Sequence, residues 1–256
     1  MRHAFGRTVL AAAASVMLLP AAAEAHDLLL KPEAATVAAG APLTVSAMLT
    51  EVYMKGDVIP PADKTTVTLR AGDKSVVVPM QPDEGAKVLR GTVPAPSAGT
   101  MLLLAARAGY RSKTPEGTKP VPKTAPGASE TVRSESFAKA LVNLSAADSG
   151  FGTVIGTRLE IVPLTNPGKP GADGTTRFKV LFDGKPLATK VTATYDGYSD
   201  KEDDVAVTAE SGADGIVSIE TASPGLWMLK ASHRFDEATA LHDRYAAGAT
   251  VVFSVP

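Results

Sequence analysis

Short runs of alternating apolar and polar residues, separated by turn-forming residues, dominate this sequence. From Leu43 to Leu49 every second residue is apolar, and Thr65 to Leu69 shows the same period of two. This period places apolar side chains on one face of a β-strand, whereas a helix needs a period of 3.6. Turn signals such as Asp183-Gly184-Lys185-Pro186 separate the runs. The pattern therefore predicts an all-β fold built from many short strands.

The strand-like runs fall into two groups, which predict two β-sandwich modules. The first group lies within residues 26–108 and ends on an apolar run from Thr100 to Ala106. The second lies within residues 158–256, where seven short strands at regular spacing are typical of an immunoglobulin-like sandwich. We therefore expect one module on each side of the intervening residues 109–157.

The intervening segment has a different composition. Residues 109–127 are rich in proline and lysine, which favours an exposed loop over a packed core. Phe137, Leu141 and Leu144 then follow at positions i, i+4 and i+7, the spacing of one helical face. With Ser134 as its N-cap, a short helix is predicted over 134–144.

The first 25 residues have the layout of a secretory signal peptide. Arg2 and Arg7 are followed by an apolar run from Val9 to Leu19 and by the small residues Ala23-Glu24-Ala25. Cleavage after Ala25 makes His26 the first residue, although cuts after Ala22 or Ala23 fit the same region. No later stretch approaches the ~18 apolar residues of a membrane span. We therefore expect an exported chain with no span in its mature part.

Composition excludes several classes of protein and site. The chain has no cysteine, so disulfides, thiolate metal sites and cysteine nucleophiles are excluded. Its formal net charge is −1, which predicts no nucleic-acid partner, because nucleic-acid binding needs a basic surface. Neither a Gly-x-Ser-x-Gly elbow nor a glycine-rich phosphate loop is present. We therefore expect a binding protein and not an enzyme.

A terminal His26 would be an unusual metal ligand. Its α-amine and its imidazole Nδ1 can close a six-membered chelate ring around one ion. Both groups have pKa values near neutrality and can lose the protons that metal binding displaces. Nitrogen ligands of this kind suit Ni(II), Cu(II) and Zn(II). Candidates to complete the site are His233, His242 and Asp27; whether His26 meets either histidine stays open.

Two other functions fit the residues. A metal-free sandwich that recognises carbohydrate or protein would use exposed aromatic side chains; the candidates are Tyr110, Tyr195, Tyr198 and Trp227. The second alternative function is that of a copper oxidase with a terminal-histidine site. It needs a second histidine, for which His233 is the candidate, and a face open to substrate.

Several motifs together resemble one family of bacterial proteins. They are Ala25-His26-Asp27, Gly109-Tyr-Arg-Ser-Lys113, Ser136-Phe-Ala-Lys-Ala-Leu141, Gly156-Thr-Arg-Leu-Glu-Ile-Val-Pro-Leu-Thr-Asn-Pro167, Val180-Leu-Phe-Asp-Gly-Lys-Pro-Leu187, Ala213-Asp-Gly215 and Gly225-Leu-Trp-Met-Leu-Lys230. The chain thereby resembles periplasmic nickel-uptake substrate-specific components, a family otherwise described as a domain of unknown function.

The resemblance implies both a fold and a role. The fold would consist of immunoglobulin-like or carboxypeptidase-regulatory-like modules. The role would be periplasmic binding of a metal ion, with Ni(II) favoured and Cu(II) or Zn(II) as alternatives, on behalf of a membrane metal transporter. The histidine at the mature terminus, here His26, is the ligand that the resemblance supports, whereas no family motif covers His242. Leu28 stands where many relatives have an aromatic residue, which changes the wall of the site.

Overall fold

The computed structural model describes residues 26–145 and 147–256, and strands β1 to β17 form its architecture. In chain order they are β1 (Asp27–Pro32), β2 (Pro42–Thr50), β3 (Thr65–Ala71), β4 (Lys74–Val77), β5 (Gln81–Asp83), β6 (Val88–Pro94), β7 (Met101–Thr114), β8 (Gly117–Lys119), β9 (Ser129–Val142), β10 (Leu159–Pro163), β11 (Thr175–Phe182), β12 (Lys185–Pro186), β13 (Lys190–Tyr195), β14 (Val207–Glu210), β15 (Ile216–Glu220), β16 (Gly225–Asp236) and β17 (Arg244–Val255). Two single 3₁₀ turns, Ala62–Lys64 and Gly150–Gly152, are the helical elements of the described residues. The all-β prediction is confirmed. The predicted signal peptide, residues 1–25, lies outside the described residues.

The strands form three sheets. The N-terminal sheet has the order β1-β2-β6-β5, and the C-terminal sheet joins β10, β12 and β15 to β11. The nine-stranded central sheet has the order β14-β13-β16-β17-β9-β7-β3-β4, with β8 added to β7. Neighbouring strands are antiparallel except for β9 and β17, which pair in parallel from Val132↔Arg244 to Ala140↔Val252. This parallel pair joins strands from the two halves of the chain into one sheet.

The outer sheets cover opposite faces of the central sheet. In β7, Met101 and Leu103 pack with the N-terminal sheet, while Leu102 joins the core under the C-terminal sheet. In β16, Trp227 and Leu229 pack with the C-terminal sheet. Successive side chains of a strand point to opposite faces, so one strand serves both cores. The two predicted sandwiches thus share their middle layer.

The helix predicted over 134–144 is wrong, because residues 134–142 belong to β9. Phe137 and Leu141, four residues apart, share one face in a strand as well as in a helix. Ala138 and Ala140 alternate with them and pack on the opposite core. A central strand with both faces covered has a nearly continuous apolar sequence, in which the two-residue period of a strand cannot be distinguished from the period of a helix.

The loop predicted over 109–127 is partly strand. β7 continues to Thr114 and forms a hairpin with β8. The Ser112 hydroxyl is buried and bonds the Val121 carbonyl and the Thr131 hydroxyl. The backbone N–H of Lys123 donates to the carbonyl of Leu241 at 2.8 Å. The proline-rich segment is therefore attached to the end of the β16–β17 hairpin.

Candidate functional site

His26 lies at the entrance to β1, the strand through which the N-terminal sheet contacts the centre of the central sheet. The Thr250 hydroxyl of β17 donates a 2.7 Å hydrogen bond to the Leu28 carbonyl, and Thr250 is buried. This bond fixes the start of β1 above the central sheet. The imidazole of His26, about a third exposed, consequently has a defined position.

A carboxylate that the sequence analysis missed faces the His26 ring. Its Nε2 lies 3.5 Å from Oε1 of Glu51. The pairing of Asp27 with Thr50 in the β1–β2 ladder places residues 26 and 51 opposite each other where the ladder ends. The backbone N–H of Glu51 is held by the Asp57 carboxylate at 2.7 Å. Only the register of this hairpin could have identified Glu51.

Asp27, the predicted neighbouring ligand, makes an ion pair. Its Oδ2 lies 2.7 Å from Nζ of Lys230, and both side chains are partly buried. Lys230 belongs to β16 and points to the face that carries β1. Coordination of a metal by Asp27 would have to compete with this contact.

His233 lies on the opposite face of the central sheet from His26. Its ring packs edge-on against Phe182 of the C-terminal sheet, with ring centroids 4.7 Å apart, and against Phe235 at 5.2 Å. Because Lys230 and His233 are three residues apart in one strand, their side chains point to opposite faces. The structure therefore does not bring His233 to His26.

His242 is a buried histidine of the β16–β17 connection, with both ring nitrogens engaged. Nδ1 lies 3.0 Å from the Thr239 hydroxyl and Nε2 lies 3.0 Å from Oε2 of Glu237. Hydrogen bonds from Arg158 and, secondarily, from His242 lower the pKa of Glu237. This arrangement holds the hairpin end together and leaves neither nitrogen open to a metal. Across residues 26–145 and 147–256, no three His, Asp or Glu side chains converge in a way that could hold a metal ion.

A small polar cavity of about 120 Å³ adjoins His26. Its floor is the central sheet, where Ser136 of β9, Gly248 of β17 and Ser232 of β16 lie in register side by side. Lys230 and Arg234 line it as well. A second cavity, of about 470 Å³, is lined by Asp27, Glu51 and Lys230 in the same region.

The aromatic candidates for a recognition surface are largely packed within the protein. Trp227 is buried, and its Nε1–H donates to the Ser223 carbonyl at 2.8 Å. Tyr195 packs between Trp227, at 4.9 Å, and Tyr198, at 5.4 Å. Tyr110 lies under the guanidinium of Arg133 at 5.0 Å. Tyr198 is the exposed member of the four candidates, at 41%.

Comparison with known proteins identifies a family match. The model of the family described as "Domain of unknown function (DUF4198)" matches residues 23–235. This match confirms the resemblance as far as the domain of unknown function, and the nickel-uptake role stays a prediction. No protein of curated function matches the chain. Among the described residues, no helix is long and apolar enough to cross a membrane.

Several solved structures align over most of the chain with low similarity. The D0-D1 domain of intimin is 14% identical, with 90% of this chain and 99% of that chain covered and a TM-score of 0.22. The ectodomain of mouse nectin-like molecule 4 is 12% identical, with 91% and 66% covered and a TM-score of 0.23. The pilus 2b backbone protein of group B streptococcus is 10% identical, with 88% and 98% covered and a TM-score of 0.17. At these TM-scores the alignments support no conclusion about fold or function.

Proposed function

This chain belongs to the family described as Domain of unknown function (DUF4198), and we propose that it is an exported protein that binds a transition metal at a terminal His26. The metal is cargo, which the protein presents to a membrane metal transporter. Ni(II) is the favoured ion, with Cu(II) and Zn(II) as alternatives. The protein performs no reaction on it.

The position of Glu51 is the observation that carries this proposal. A carboxylate 3.5 Å from Nε2 favours the tautomer with hydrogen on that nitrogen and orients the ring. The lone pair then resides on Nδ1, the nitrogen that forms a chelate ring with the α-amine of the same residue. Carboxylates commonly play this supporting role behind histidine ligands of metal ions. Glu51 therefore acts on the ring and not on the ion.

The ligand set that remains is small, which suits a carrier. Because His233 and His242 are engaged elsewhere, His26 supplies two nitrogens and the other coordination positions are left to exogenous ligands. Imidazole and amine nitrogens suit Ni(II), Cu(II) and Zn(II). An ion held by one residue at the protein surface can be transferred without unfolding any part of the chain.

Export is proposed from the sequence of residues 1–25. In a bacterium with two membranes the mature chain would then act in the periplasm. Export also matters chemically, because removal of the leader creates the α-amine on which the chelate depends.

The test compares two forms of the processed protein. One begins at His26, as verified by mass spectrometry, and the other carries one additional alanine before His26. Ni(II), Cu(II) and Zn(II) are titrated into both by calorimetry. We expect the added alanine to weaken binding at least tenfold, about 1.4 kcal/mol. Equal affinities would contradict the proposal.

A further inference from the structure

We propose that a second binding site lies on the face of the central sheet opposite His26, in a cleft that takes an uncharged, largely apolar molecule with one carbonyl oxygen. The cleft has a volume of about 210 Å³, and the ion pair of Lys139 and Glu160 belongs to its lining. This site, the Lys139 cleft, involves none of the groups around His26. It therefore goes beyond the proposed function and does not depend on it.

The floor of the Lys139 cleft is a part of the central sheet that no strand of the C-terminal sheet covers. β10 contacts β16 and β17, whereas the floor lies on β3, β7 and β9. Two rows of side chains, each in register across these three strands, form it. They are Thr66, Ala106 and Phe137 in the outer row and Thr68, Leu104 and Lys139 in the inner row.

The lining of the cleft is mostly apolar. Thr66 and Ala106 are exposed, while Leu104 and Phe137 are half-buried, so the cleft opens to solvent at its outer row. Ile155, from the loop before β10, adds a further apolar side chain. Sites for small organic molecules typically combine such apolar walls with a few polar groups that fix the orientation of the ligand.

The ammonium group of Lys139 is the polar group that can orient a ligand. It carries three N–H donors. Nζ lies 2.7 Å from Oε1 of Glu160 and 3.3 Å from the carbonyl oxygen of Ile161, and no other described residue accepts a hydrogen bond from it. Burial lowers the pKa of Lys139, because few water molecules reach the charge. An acceptor oxygen in the cleft would complete the hydrogen bonds of this group.

The partner carboxylate determines the charge of the ligand. Glu160 already accepts hydrogen bonds from Lys139 and from the backbone N–H groups of Ile155 and Gly156. It also balances the charge of Lys139, so the pair attracts neither anions nor cations strongly. A carboxylate ligand would be repelled by Glu160, and a cationic ligand would be repelled by Lys139. A neutral acceptor on an apolar body is the class of ligand that fits both the pair and the walls.

Ala106→Phe tests the location of the site. Ala106 lies in the floor between Thr66 and Phe137 and is exposed, so a larger side chain fills the cleft without entering either core. Ala108→Phe is the matched control. Ala108 is exposed on the same face of β7, two residues further along, and does not line the cleft. Both variants add the same aromatic ring to the same strand, and only one of them blocks the site.

Acetophenone, ethylbenzene and benzoate test the class of ligand, because they share a benzene ring and differ in the group attached to it. Acetophenone has a neutral carbonyl oxygen, ethylbenzene has no acceptor, and benzoate carries a negative charge. We expect ethylbenzene to bind the wild type about tenfold more weakly than acetophenone, because it offers the ammonium group no acceptor. Benzoate should bind more weakly than acetophenone as well, because Glu160 repels it.

The measurement is a titration of each probe, followed by saturation-transfer NMR, into metal-free protein that begins at His26 and into both variants. Acetophenone should bind wild type and Ala108→Phe alike and should lose its binding to Ala106→Phe. The comparison of the three probes on the wild type requires neither variant, so it remains decisive if a variant does not fold.

Three results would overturn the inference. They are no binding of acetophenone to the wild type, equal or tighter binding of ethylbenzene or benzoate, and unchanged binding of acetophenone to a folded Ala106→Phe. All of them are obtained without metal, so they leave the proposed function standing. Failure of the proposed function is instead seen with Ni(II), as an affinity that the additional alanine before His26 does not change.

Discussion

Lys139 of β9 and Glu160 of β10 form a buried ion pair that connects the central sheet to the C-terminal sheet. Nζ and Oε1 are 2.7 Å apart, and the side chains are 6% and 2% exposed. Glu160 also accepts hydrogen bonds from the backbone N–H groups of Ile155 and Gly156. Burial lowers the pKa of Lys139, and Glu160 opposes that shift. The pair thus orients β10 and the loop before it.

Lys139→Met should destabilise the protein strongly, by about 3–5 kcal/mol, because it leaves the Glu160 carboxylate buried without its cation. The free energy of unfolding, measured by urea titration at neutral pH, gives the loss. Lys119→Met is the matched control, since Lys119 makes a solvent-exposed pair with Glu116. Little change is expected there, because exposed pairs contribute little. Similar losses in the two variants would refute a special role for the buried pair.

Glu237 should make stability depend on pH in the acid range. Arg158 and His242 lower the pKa of its carboxyl group, so the folded state binds this proton less readily than the unfolded state. The stability that the ionised Glu237 carboxylate contributes is fully present above the ordinary glutamate pKa of about 4.3. It is lost as the pH falls through the lower pKa that this group has in the folded state. Glu237→Gln should thus be less stable than wild type at pH 7, and the difference should narrow by pH 3.

Urea unfolding at a series of pH values measures this effect. Glu84→Gln, in the exposed turn between β5 and β6, serves as the control and should follow the wild-type profile. A constant difference between Glu237→Gln and wild type at all pH values would contradict the prediction, because it would mean that the carboxyl group gains nothing from ionisation in the folded state.

The three histidines of the described chain should differ in their effect on metal binding. His26→Ala should remove Ni(II) binding. His233→Ala should retain the wild-type affinity, because His233 packs against Phe182 and Phe235. His242→Ala should retain it as well, because both ring nitrogens of His242 contact Thr239 and Glu237. His242→Ala should instead lower the urea midpoint. Calorimetric titration of the processed protein distinguishes the variants. A large loss of affinity in His233→Ala would place the site on the other face of the central sheet.

Glu51→Gln should weaken metal binding without abolishing it. Loss of a carboxylate behind a histidine ligand typically costs tenfold to a hundredfold in metal affinity. The glutamine keeps the size of the side chain but removes the charge beside Nε2. Glu33→Gln is the matched control, because Glu33 pairs with Arg90 away from His26. If both variants bind Ni(II) like wild type, Glu51 has no role in orienting the ring.

Strand positions could be predicted where one face of a strand is apolar. The alternation from Leu43 to Leu49 corresponds to β2, and Thr65 to Leu69 corresponds to β3. These patterns are local, since neighbouring residues in a strand point to opposite faces whatever its partners are. Prediction failed at β9, because its two faces pack on two different cores and no alternation remains.

The chemistry of His26 could be read from the order of residues alone, since the cleavage pattern and the histidine are adjacent in the chain. The side chains that surround His26 could not be predicted from that order. Glu51 faces His26 through the register of a hairpin, and His233 points away from it because β16 presents alternate residues to opposite faces of the central sheet. Strand pairing and the choice of covered face depend on contacts between residues distant in sequence. The amino-acid order therefore determines which side chains are available for chemistry, and the packing of three sheets decides which of them meet.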